Sequence, residues 1–201
     1  HLSLRRQRQM CIRDSNNLLD IDSSPIVSEE GIEGNPQTSK LCWLVDPLDG
    51  TKEFIKRNGM FTVNIALMQK ENDYWKPIFG VVHAPVTKTT WFGGVMIPAE
   101  RRGPSGSGLM MVKPSISPSP VRLVASGSHR GLLDENFAKT LGDYDLVRMG
   151  SSLKACIVAE GNADLYPRFG PTSCWDIAAA PVSYTHLRAH ETLRYLVCRL
   201  L

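Results

Sequence analysis

A short apolar run, Leu41-Cys42-Trp43-Leu44-Val45, ends abruptly on Asp46-Pro47-Leu48-Asp49-Gly50-Thr51, and no other stretch constrains the fold as much. The run suits a buried strand that stops where proline removes a backbone donor. Beyond it, Pro47-Leu48 turns the chain sharply, so Asp46 and Asp49 leave the end of one strand together and the Leu48 carbonyl stays free as a further oxygen ligand. Gly50 removes a Cβ where backbone must approach a phosphate, and Thr51 can donate to that phosphate from the start of a following helix. Ser28-Glu29-Glu30 upstream and Trp175-Asp176 downstream offer further carboxylates.

Each of these features has an ordinary reading. An Asp-Gly pair is most often only a turn. Glu29-Glu30 before Gly31 is a common solvated loop, and Trp175-Asp176 a common helix cap over a packed indole. The joint pattern points elsewhere. Hydrolysis of a phosphate ester needs developing negative charge neutralised and a water made nucleophilic, and bound Mg²⁺ does both. Mg²⁺ takes oxygen ligands and keeps several waters, so a few carboxylates on a rigid frame suffice. Asp46, Asp49, Glu29 and Asp176 can supply them, and a metal-dependent phosphatase is the first reading.

The rest of the chain supports an α/β layered domain. Phe61–Met68 and Ile78–His83 read as adjacent antiparallel strands across the polar Gln69–Asp73 turn, and Thr89–Phe92 as another strand. Pro98–Pro120, rich in Gly, Ser and Pro, reads as a mobile connection with at most a strand at Leu109–Val112. After it come strands at Val121–Ala125, Tyr144–Arg148 and Ala163–Tyr166, and a helix over Leu132–Leu141. A second helix, capped by Ser151 or Ser152, ends at Gly161, and a third begins at Asp176 and breaks at Pro181.

Composition excludes several classes. With 42% hydrophobic and 21% charged residues the 201-residue chain has the balance of a globular protein that can bury a core. No apolar run approaches the roughly 20 residues of a membrane helix, and no signal-like apolar region follows the basic start. The five cysteines (Cys11, Cys42, Cys156, Cys174 and Cys198) form no CxxC pair, so neither zinc nor a disulfide framework is indicated, and reduced thiols fit a cytoplasmic home. The net charge of +3 comes from the ends. Arg5, Arg6, Arg8 and Arg13 stand against Asp14, and Arg188, Arg194 and Arg199 against Glu191, leaving a mildly acidic body and no case for a nucleic-acid partner. Gly103–Gly108 lacks the Gly-Lys-Ser/Thr of a P-loop, and Ser126-Gly127-Ser128-His129 lacks the order of a nucleophile elbow.

Glu29, Asp46-Pro-Leu-Asp-Gly-Thr51 and Trp175-Asp176-Ile-Ala-Ala179 together resemble the inositol monophosphatase superfamily of Mg²⁺-dependent, lithium-sensitive phosphatases. Lys52–Gly59, Gly150-Ser-Ser-Leu-Lys154 and Leu165–Pro171 are similar to its bacterial 3′(2′),5′-bisphosphate nucleotidase branch, over about residues 18–181. The resemblance implies a layered α-β-α-β-α sugar-phosphatase-like fold. It implies metal ligation by Glu29, Asp46, the Leu48 carbonyl, Asp49 and Asp176, with Glu29, Asp49 and Thr51 as catalytic groups. Gly50, Thr51, His129, Ser151, Lys154, Arg168 and Asp176 are implied to contact substrate, which is chemically sensible because a bisphosphate needs cations beyond a metal site. The implied reaction takes the 3′-phosphate from 3′-phosphoadenosine 5′-phosphate to leave AMP, a clearing step in sulfate assimilation, in the cytoplasm or at the periphery of the inner membrane.

The expected organisation is a non-family segment at 1–15, a metal and phosphate subdomain at 16–97, a flexible connection at 98–120, an incomplete nucleotide subdomain at 121–183 and a non-family segment at 184–201. This reads as a family fold truncated at both ends. The superfamily also carries an upstream Asp that pairs with the residue matching Thr51 to activate water, and no motif here corresponds to it. Two alternatives therefore stand beside the nucleotidase: an inositol or sugar monophosphatase, and a metal- and nucleotide-binding fragment with impaired catalysis. Oligomeric state is not legible.

Overall fold

The computed structural model describes residues 17–109, 120–126, 131–170 and 172–182. After helical residues at 17–21 (α1), the first part of the chain builds one large sheet. Its strands are β1 (Ile26–Ser28), β2 (Gly31–Glu33), β3 (Leu41–Asp49), β4 (Thr62–Glu71), β5 (Tyr74–Ala84), β6 (Thr89–Gly94), β7 (Ile97–Gly103) and β8 (Gly106–Leu109). They lie in the order β2-β1-β3-β4-β5-β6-β7-β8. All neighbours are antiparallel except β1 and β3, which run parallel.

β3 is buried along almost its whole length, which its unbroken apolar run requires, since it is covered on both faces. Side chains alternate between those faces. Cys42 and Leu44 enter the larger core with Ala66, Met68 and Val82. Trp43 and Val45 enter a second core with Leu18 and Ile26. The first face carries the helices: α5 (Cys174–Ile177) and α6 (Ala179–Val182) pack on β3, β4 and β5. A Cβ at Gly80 on β5 would run into the Ala179 backbone, so glycine is what lets α6 lie this close.

The second part of the chain pairs β9 (Val121–Ala125) with β10 (Tyr144–Arg148) in parallel, linked by α3 (Leu132–Thr140). Then α4 (Leu153–Ala159) brings its small, apolar face into the larger core. Glu160 ties the two parts together at the end of α4. Its Oε1 accepts from Trp91 Nε1 at 2.7 Å and pairs with Arg101 Nε at 2.8 Å.

Four readings of the sequence change. Residues 98–109, expected within a mobile connection, belong to the β7–β8 hairpin. Arg101 fixes it by donating to Ser105 and to the Gly106 carbonyl while pairing with Glu160, contacts that local composition does not encode. β3 does not stop at Pro47 but resumes pairing at Asp49 after a bulge, since one residue without an N–H can be skipped where the ladder is already irregular. Ala163–Tyr166 contributes only a single parallel bridge, Leu165 to Leu123, made by the Leu165 N–H to the Arg122 carbonyl and the Val124 N–H to the Leu165 carbonyl. Pro181 does not break the last helix, because α6 begins only at Ala179 and proline is tolerated in a first turn.

Candidate functional site

The register of the first three strands assembles the acidic end of the site. Because β1 runs parallel to β3 with Ser28 beside Val45, the next residues along are Glu29, in the turn after β1, and Asp46, still in β3. Asp46 is 2% exposed. Burial first, then Asp49, with Glu29 and Asp176 adding, pushes its carboxyl up to about 8. Only the Leu48 N–H, donating to Oδ1 at 2.9 Å, pulls the other way. Glu29 stands at the exposed rim, and its carboxyl is raised by partial desolvation, then by Glu30, Asp176 and Asp49. Asp176 lies in α5, where its Oδ2 accepts from Thr172 Oγ1 at 2.9 Å and from the Ser173 N–H at 3.3 Å.

Asp49 is held differently. Four donors converge on its Oδ2: Ser152 N–H at 2.6 Å, Ser152 Oγ at 2.7 Å, Asn64 Nδ2 at 3.1 Å and Thr62 Oγ1 at 3.2 Å. Sequence reasoning missed these three partners. The signal was present in β4, where Thr62 and Asn64 occupy the core-facing alternation that continues with Ala66 and Met68.

At the turn, Gly50 adopts φ 90°, a left-handed conformation that glycine reaches without strain, and α2 (Thr51–Lys56) starts immediately after it. The Leu48 carbonyl, expected free, accepts a long bond from Thr51 Oγ1 at 3.4 Å, which leaves its second lone pair open. Facing the turn, Ser151 is also left-handed, at φ 45°, and Gly150 sits where a Cβ would strike Met60 and Glu53. Ser152 caps α4 by position only, its hydroxyl being directed to Asp49 instead.

Beyond Ser152 the site turns basic. Lys154 is 5% exposed, donates from Nζ to the Ser151 carbonyl at 2.6 Å and lies over the Tyr166 ring at 5.5 Å. Burial pulls its ammonium below the usual range, against the attraction of Asp49. Lys154 and Arg168 share the wall of a cavity of about 540 Å³ with Ala125, Leu132, Tyr166 and Phe169. Asp134 lines it too, with Oδ2 accepting from the Gly131 N–H at 2.8 Å, and a largely apolar chamber with two cations and one hydrogen-bonded carboxylate suits an anion with an apolar body. His129 lies outside the described residues.

Glu29, Asp46, Asp49 and Asp176 thus lie within electrostatic reach of one another, and among the described residues none of them joins an ion pair. They do not close into a cage. Among the described residues no group of three or more His, Cys, Asp or Glu side chains gathers at ligating distance. Carboxylates that repel one another around a buried Asp46, all of them oxygen donors, nevertheless fit a hard divalent cation that brings its own waters.

Residues 7–182 match the Inositol monophosphatase family, a match that reaches into the first fifteen residues. The chain is 45% identical over 168 residues to the 3′(2′),5′-bisphosphate nucleotidase CysQ of Shigella flexneri, covering 83% of this chain and 65% of that protein. It is 44% identical over 171 residues to CysQ of Escherichia coli (strain K12), with the same shares covered. It therefore spans just under two thirds of the length of these curated relatives. Among solved structures, CysQ from Bacteroides thetaiotaomicron, described as a bacterial member of the inositol monophosphatase family, superposes with a TM-score of 0.71 at 38% identity, covering 82% of this chain and 66% of that one. Inositol monophosphatase II from Staphylococcus aureus MSSA476 gives 0.75 at 23% identity, covering 93% and 69%, which speaks to the fold alone.

Proposed function

Since the chain belongs to the inositol monophosphatase family, we propose that it serves a Mg²⁺-dependent 3′(2′),5′-bisphosphate nucleotidase, taking the 3′-phosphate from 3′-phosphoadenosine 5′-phosphate to leave AMP. The observation that carries this reading is the adjacency of a carboxylate cluster to a cation-lined chamber, with Lys154 in the field of both Asp49 and Arg168. An inositol monophosphate offers a single phosphate and no apolar base, so it would leave that chamber half used. The shared identity with CysQ proteins points the same way.

In this reading Glu29, Asp46, the Leu48 carbonyl, Asp49 and Asp176 hold the metal. Bound there, Mg²⁺ supplies charge neutralisation at the phosphate oxygens and acidifies a water. The chain's own groups do the rest. Gly50, lacking a Cβ, lets backbone come close to the scissile phosphate. Thr51 Oγ1, only loosely held by Leu48, can turn to donate to a phosphate oxygen or to orient the water. Glu29, at the exposed rim, would accept the water's proton on a carboxylate oxygen that the metal does not use. Lys154 and Arg168 hold the second phosphate, and the Tyr166 and Phe169 rings wall the base. Ser151, facing the Gly50 turn, adds a contact to the nucleotide. In the cell this chemistry would serve sulfate assimilation in the cytoplasm.

Phosphate release is to be measured from 3′-phosphoadenosine 5′-phosphate and from inositol 1-phosphate, each with Mg²⁺ and with chelator. The expected outcome is Mg²⁺-dependent release that favours the nucleotide. Faster turnover of the inositol phosphate would overturn the substrate. Nucleotide binding with no release from either compound would leave a binding fragment.

A further inference from the structure

Asp49 is the most heavily hydrogen-bonded carboxylate described above, and every bond falls on the same oxygen. Oδ2 receives Ser152 N–H, Ser152 Oγ, Asn64 Nδ2 and Thr62 Oγ1. Among the described residues Oδ1 receives none. A carboxylate oxygen with this many donors has no lone pair left for a cation, while its twin keeps all of its own. Resting on the metal-site reading above, we propose that Ser152, Asn64 and Thr62 are positioning residues that pin Asp49 by Oδ2 and so present Oδ1 alone as its ligand oxygen.

Ser152 is the centre of this arrangement. Its hydroxyl accepts from Asn64 Nδ2 at 2.9 Å and lies within donating distance of both Asp49 Oδ2, at 2.7 Å, and the Asp176 carbonyl, at 3.0 Å. One hydroxyl has one proton, so it donates to one of these two acceptors at a time, and the shorter contact, to Asp49 Oδ2, is the one that holds the carboxylate. The orientation of Asn64 is forced as well. Only its amide nitrogen can face a carboxylate, so both N–H groups go to Asp49 and Ser152.

That orientation has a cost which argues for a site rather than a strut. Asn64 is 1% exposed and its Oδ1 has no partner among the described residues. A buried acceptor left unsatisfied is unfavourable, and such defects concentrate where geometry is being held for another purpose. A merely structural Asn in a core strand would be replaced by an apolar residue at a gain. Here the amide stays because Asp49 needs its donors more than the strand needs a satisfied side chain.

The test uses Mn²⁺ as the probe, titrated into the full chain and followed by its electron paramagnetic resonance signal, alongside melting of the metal-free protein and steady-state phosphate release. The variants are Ser152→Ala, Ser152→Thr and Thr62→Val, the last nearly isosteric so that a folded protein is assured. Loss of a group that orients a metal ligand typically weakens binding about 10–100-fold. Ser152→Ala should fall in that range, Thr62→Val should lose less because its bond is the longest of the four, and Ser152→Thr should recover most of the affinity by restoring a hydroxyl. Thr62→Val should leave the metal-free melting temperature within about 3 °C of the parent, as one weak bond would. Equal Mn²⁺ affinity in the parent, Ser152→Ala and Thr62→Val would overturn the positioning role and leave the metal site standing. A parent chain that binds no Mn²⁺ would overturn the metal site and the positioning role together.

Discussion

Asp46 and Asp164 are both largely buried carboxylates, and the protein treats them in opposite ways. Asp164 receives the Arg122 guanidinium through two bonds, at 2.7 and 3.0 Å, and the Arg122 backbone N–H at 2.8 Å. Those bonds, the guanidinium's above all, hold its carboxyl below the usual range. Asp46 has one backbone N–H and otherwise faces Asp49, Glu29 and Asp176, and its carboxyl is pushed up to about 8. The Asp164 pair is complete in the polypeptide and serves to fasten the start of β9 to the chain after α4. The Asp46 group finds no cation among the described residues, and in the proposed reading a bound divalent ion supplies it.

The sharpest way to break this contrast is to neutralise each carboxylate. Asp46→Asn should abolish Mg²⁺-dependent phosphate release by about 10³-fold or more, the scale of a lost metal contribution of several kcal/mol, while the metal-free protein melts no lower than the parent. The check is phosphate release beside calorimetry. A lower metal-free melting temperature would show that Asp46 is held by contacts like those of Asp164.

The pH dependence comes next and has opposite signs at the two places. Asp46 has a folded value of about 8 against an ordinary 3.8, so the folded state binds the extra proton. Stability of the metal-free protein therefore falls as pH rises from about 4 toward 8, by at most about 1.4 kcal/mol per pH unit for one proton. Asp164 has a depressed folded value, so its contribution is present above the unfolded value and lost as pH falls through the folded one. Thermal melts between pH 5 and about 8, with and without Mg²⁺, should show a declining metal-free curve that Mg²⁺ flattens. A metal-free curve that rises through this interval would contradict the assignment to Asp46.

The smallest effect is expected from Asp164→Asn. It keeps the shape but removes the charge, and the Arg122 side chain is 40% exposed, so screening limits the loss to about 1 kcal/mol. Urea denaturation will read this as a lower midpoint at unchanged slope, with phosphate release unaltered.

Much of the sheet was legible because its signals are local. The run Leu41–Val45 and the alternations of β4 and β5 are patterns in neighbouring residues, and these antiparallel strands formed where the patterns lie, whereas the three-residue β1 and β2 were not read from the sequence. The carboxylates were legible because Asp46-Pro-Leu-Asp-Gly-Thr51 carries its turn chemistry within six residues. The β7–β8 hairpin was not. Its Gly, Ser and Pro content signals a connection, and what makes it a hairpin is the reach of Arg101 to Glu160, far along the chain. The donors on Asp49 were hidden for the same reason, since Thr62, Asn64 and Ser152 are unremarkable polar residues until the sheet and α4 meet.

The bond from Ser152 to Asp49 joins residues 103 positions apart. During synthesis, Asp49 leaves the ribosome long before the group that will hold it has been made. Strands β3 to β5 can pair in the meantime, because their contacts are sequential, but an acidic turn without its donors stays at their end until α4 docks. Ion binding by a nascent or partly refolded chain would then report the docking of α4 and of α5, which brings Asp176, rather than the formation of the sheet.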